Sequence, residues 1–168
     1  TSGTAFSWAL SMQHTLGADY FARLRANDAR VVGGNAAVLQ KLEGSEAKAG
    51  VLLLENALAA RVKGSPIVID WPADGAVVVP GDVGIFASSK NPEAAKAFVD
   101  ALYSREVQEI IANVGGMHAV DPRVSAPGDA LSLDELLQRS APWDDEVLQL
   151  GVRNGAKVKA DFAKAFAK

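Results

Sequence analysis

With 168 residues and 49% hydrophobic content, the chain has enough apolar material for one compact domain or two small lobes, and its composition argues against disorder. A formal charge of −3 without any basic run argues against a nucleic-acid surface or a polybasic membrane anchor, and no apolar stretch approaches the length of a membrane span. The absence of cysteine removes disulfides, cysteine nucleophiles and thiolate metal sites together, leaving compartment undecided on composition. The chain begins without Met, shows no signal peptide and opens directly on a helix start, so it is expected to be a fragment of a longer protein.

Thr1-Ser2-Gly3-Thr4 runs straight into apolar residues, and a helix is expected from about Thr4 to His14, ending at Gly17. A second helix starts at Asp19, with Tyr20, Phe21 and Leu24 at helical spacing. Arg30-Val31-Val32 reads as a short strand leading into Gly33-Gly34-Asn35, where Asn35 is expected to cap a helix over 36–42 that closes at Gly44. The continuous apolar run Ala49 to Leu54 reads as a strand buried on both faces, with Glu55-Asn56 emerging at its end. A short helix Ala57 to Val62, a turn at Gly64-Ser65-Pro66, a strand Ile67 to Asp70 and a turn at Pro72-Ala73-Asp74-Gly75 follow.

Beyond the apolar runs Ala76 to Val79 and Val83 to Ala87 the pattern becomes mostly helical. Asn91-Pro92-Glu93 is a strong helix start, combining a cap residue, a proline suited to the first turn and an acid at the positive end of the helix dipole. The next helix begins at Ser104, places Val107, Ile110, Ile111 and Val114 on one face, and stops at Gly115-Gly116. A polar stretch from His118 to Asp129 precedes a helix around Leu131 to Arg139 and another from Asp144 towards Lys168. In that last helix Lys157, Lys159, Lys164 and Lys168 form a solvated face opposite Val158, Phe162 and Phe166.

Four segments carry a resemblance: Thr1-Ser2-Gly3-Thr4-Ala5-Phe6, Gly44-Ser45-Glu46-Ala47-Lys48-Ala49-Gly50-Val51, Pro72-Ala73-Asp74-Gly75, and Lys90-Asn91-Pro92-Glu93-Ala94-Ala95-Lys96-Ala97-Phe98-Val99. The last continues to Leu102-Tyr103-Ser104-Arg105-Glu106-Val107-Gln108. In order and content they resemble the later half of a bacterial extracellular solute-binding protein, the two-lobed receptor of an ABC importer, in the branch that includes ferric-iron and phosphonate binders. The resemblance implies an α/β fold: a lobe of the type II periplasmic-binding kind, with a parallel-rich mixed sheet flanked by helices, plus a helical C-terminal part. It implies an incomplete ligand-binding lobe over residues 1–79, a hinge or crossover strand over 80–90, and over 91–168 the helical part completing the first lobe. It further implies a periplasmic or cell-surface location, a partnership with ABC permease subunits and with the missing N-terminal part of the same receptor, and no enzymatic activity, cofactor or nucleic-acid partner.

The candidate ligand-binding residues are Thr1, Ser2, Gly3, Thr4, Gly34, Asn35, Glu55 and Asn56. Helix starts attract anions because their first N–H groups lack intrahelical acceptors and the helix dipole places partial positive charge there. Glu55 beside such a site favours a zwitterionic ligand carrying an amino group, such as an aminoalkylphosphonate. The alternatives stay open: Ser2 as an ordinary N-cap, and Glu55 as a dipole-favourable first-turn residue. Iron-binding members of the branch carry adjacent tyrosines after the central strand. The corresponding stretch here is Leu54-Glu55-Asn56-Ala57-Leu58, and the chain's two tyrosines, Tyr20 and Tyr103, fall at positions that read as helix packing, which argues against a tyrosinate iron site.

His14 and His118 lack acidic or cysteine partners at ligand spacing, so no metal site is expected. Trp8, Trp71 and Trp143 read as core or edge packing, with Trp71 next to a turn that can border a cleft. An enzyme is the chief rival reading, but there is no GxSxG elbow, no GxxxxGK[ST] loop and no motif placing a histidine against Ser2. The other readings are a ferric-iron carrier and the ligand-sensing domain of a regulator.

Overall fold

A computed structural model describes residues 2–167, which form eight helices: α1 (Gly3–Leu16), α2 (Tyr20–Ala26), α3 (Asn35–Glu43), α4 (Leu54–Val62), α5 (Pro92–Leu102), α6 (Arg105–Asn113), α7 (Leu133–Gln138) and α8 (Asp145–Ala165). The expected parallel-rich mixed sheet is absent among the described residues, which corrects the α/β assignment to a helical fold. Among the described residues its only trace is one isolated parallel bridge between Ala76 and Ser140, closed by Ala76 N donating to Arg139 O (3.0 Å) and Ala141 N donating to Ala76 O (2.8 Å).

The physical reason lies in what makes a strand. Apolar β-branched runs describe the side-chain surface of a strand, whereas the strand itself needs a neighbour about 4.8 Å away to accept and donate hydrogen bonds. The backbone N–H groups of residues 30–32, 49–52, 67–70 and 83–87 find no protein acceptor among the described residues. Many of their side chains are exposed, Val51, Val68 and Phe86 among them, while Leu52, Ile67 and Ile69 are half-buried. The run Ala49–Leu54, which reads as buried on both faces, is exposed at residues 49–51 and only partly buried at 52–54, with Gly50 packed against Val38 and Leu42 of α3.

The helical readings fare differently because their signals are local. The described residues divide into two compact units, one comprising residues up to Val32 with Trp71–Pro80 and Leu137 onward, the other Gly33–Asp70 with Gly81–Leu136.

In the first unit α1 starts where Ser2, in extended conformation, accepts a hydrogen bond from Ala5 N (3.2 Å). It ends at Gly17, whose φ of 94° suits glycine and whose N–H donates to Gln13 O (3.1 Å). Asp144 caps α8 by accepting from Val147 N (3.1 Å). Ala9, Leu10, Phe21, Val147 and Val158 form the core, surrounded by Phe6, Trp8, Tyr20, Leu24, Trp143, Leu150, Phe162 and Phe166. Phe21 is 1% exposed and meets Phe162 edge-on at 5.2 Å, a geometry favoured by the ring quadrupoles. Gly151 and Gly155 let α8 approach α1 closely: a Cβ at Gly151 would stand 2.9 Å from Leu10 Cδ2, and one at Gly155 3.2 Å from Phe6 Cζ.

In the second unit alanines predominate among the buried side chains, joined by Leu58, Gln108, Pro127 and Leu136. Ala57, Leu58 and Ala60 of α4, Ala112 of α6 and Leu136 of α7 are its buried apolar helical residues. Ser104 caps α6 by accepting from Val107 N (3.4 Å), and Pro92 occupies the first turn of α5. Gln108, buried in α6, donates to Leu102 O (2.7 Å) and accepts from Val120 N (2.8 Å) and Asp121 N (3.4 Å), so one side chain ties the α5 end and the following loop together. Arg61 grips both carboxylate oxygens of Asp129 at 2.8 and 2.7 Å.

Candidate functional site

The candidate residues fall into two groups, each held by its own unit, and Thr1 lies outside the described residues. At the start of α1, the Ser2 hydroxyl is engaged by Ala5 N and stands 3.4 Å from Thr4 Oγ1. Ser2 therefore acts as the N-cap. The next donor, Phe6 N, bonds Ser2 O at 3.1 Å, which leaves Gly3 N and Thr4 N without a protein acceptor among the described residues. No acidic residue occupies this first turn, and Gly3 has open space where a side chain would stand. The arrangement offers two backbone donors and the Thr4 hydroxyl to an anion.

In the second unit Gly34, not Asn35, takes the cap position of α3, with a φ of 84° that glycine tolerates and open space around it. Asn35 is the first helical residue, and its Oδ1 accepts from Leu53 N (3.4 Å) instead of capping its own helix. That bond joins the start of α3 to the start of α4. The expected boundary of α4 also moves: Leu53 is its extended cap residue, and Leu53 O accepts from Asn56 N (3.1 Å) and Ala57 N (3.3 Å). Glu55 and Asn56 consequently sit in the first helical turn of α4, where a carboxylate complements the dipole. Gly34, Asn35, Glu55 and Asn56 are thus gathered at two neighbouring helix starts.

Glu55 makes no ion pair among the described residues. Gly116 packs against it: a Cβ at Gly116 would lie 3.2 Å from both Glu55 Cα and Cβ, and the backbone there has a φ of 68°. Gly115-Gly116 reads in sequence as a helix stop, and its second role as the floor beneath Glu55 depends on a long-range approach that no local pattern records. Asn35 as a bridge between helices is missed for the same reason.

Other polar candidates find structural partners. His118 Nε2 lies 2.8 Å from Leu131 O, while His14 sits in the last turn of α1. Trp8 stacks beside Tyr20 and Phe21 at 6.2 and 6.3 Å, and Trp143 packs on the same core. Burial raises the Tyr20 phenol above its usual range, helped by the nearby Asp74 carboxylate and opposed by Arg23. Tyr103 is exposed at the end of α5 rather than packed. Among the described residues, no helix is long and apolar enough to cross a membrane.

No curated protein and no solved structure matches the chain. The sequence pattern of one family, described as bacterial extracellular solute-binding protein, does match it, over residues 3–115 and so well over half its length. By that match the chain belongs to the bacterial extracellular solute-binding protein family.

Proposed function

We propose that this chain is the non-catalytic binding component of an ABC importer, working in the periplasm or at the cell surface. It captures a small anionic or zwitterionic solute of the phosphonate or phosphate-ester kind and hands it to membrane permease subunits. The observation that supports this reading is the state of the helix starts: first-turn donors without protein acceptors at α1, and an uncapped α3 behind an open Gly34. Glu55, without an ion-pair partner among the described residues, is positioned to meet a ligand ammonium group. Membership of the solute-binding family supports a small-molecule ligand in general.

The test is the melting temperature of the protein with phosphate, alkylphosphonates, aminoalkylphosphonates, carboxylates, polyamines and ferric iron, since a ligand that binds only the native state raises it. A shift with phosphonates or phosphate esters that Glu55→Gln reduces only for the amino-bearing ligands supports the zwitterion site. A shift with ferric iron alone, or none with any anion at about 10 mM, overturns it.

A further inference from the structure

We draw no further inference here: the strongest candidate, the open apolar groove that Val83, Ile85 and Phe86 form with Phe98 and Val99 of α5, carries none because nothing in the structure shows what covers it.

Discussion

Phe21, Leu10, Val147 and Val158 fill the core of the unit containing α1, α2 and α8, and a ring of aromatic side chains closes around them. The unit containing α3 to α6 buries mainly alanines, and most of the exposed large apolar side chains of the protein belong to it, including Val62, Val68, Phe86, Phe98 and Val114. Its buried polar tie is Gln108, and the solvent-exposed Arg61–Asp129 pair adds little to it. Large buried side chains each contribute about 1.5–3 kcal/mol, whereas hydrogen bonds contribute about 1 kcal/mol net and lose more when one partner is orphaned. The first unit is therefore the thermodynamic anchor. The second is expected to open more readily.

The largest test of that contrast is Phe21→Ala. It should cost about 3–5 kcal/mol in urea unfolding, because a ring that meets Phe162, Tyr20 and Trp8 leaves a cavity those neighbours cannot fill. A loss below 1 kcal/mol would show that the aromatic cluster is not the anchor. Next comes Gln108→Leu, which preserves apolar volume but orphans Leu102 O and Val120 N. It should cost about 1–3 kcal/mol and speed amide exchange at Val120 while leaving α8 protected.

Smaller still is Ser2→Ala, expected to remove about 1 kcal/mol through the lost cap at Ala5 N and to fray only the start of α1. The weakest effect is that of acid. Asp161 lies below the usual carboxylate range, held there first by the hydrogen bond from Lys157 and then by that from Gln13. Asp121 is lowered to about 2 by its hydrogen bonds with Arg123. Depressed carboxylates stabilise the fold above their unfolded value near 3.9 and lose that contribution as pH falls through the lower folded value. A urea midpoint flat above pH 5 and declining gently from about pH 4 to 2 is the expected profile, and Asp161→Asn should flatten the part belonging to the first unit.

Helices were legible because their signals are written within a few residues. Ser104, Pro92 and Asp144 occupy the cap or first-turn positions that their chemistry predicts, and Gly17 closes α1. Ala49–Leu54 and Val83–Ala87 have the composition of strands but form none, because pairing depends on a neighbour that can lie anywhere in the chain. The candidate site falls between these cases. Donors at the α1 start were readable from Ser2-Gly3-Thr4, whereas the Asn35 to Leu53 bridge and the Gly116 floor under Glu55 arise from segments 18 or more residues apart.

The packing of α1 on α8 also imposes an order in time. Leu10 and Phe6 meet Gly151 and Gly155, so the core of the first unit joins α1 to α8 in contacts that span more than 130 residues of the chain. On a ribosome, α1 and α2 emerge before the second unit and hold Phe21 and Leu10 uncovered while that unit is being made. Closing so long a loop is entropically slow, and the exposed rings must avoid other chains until α8 arrives. The better-anchored half of the molecule is thus the last to be finished, and the half that opens more readily has the first opportunity to fold.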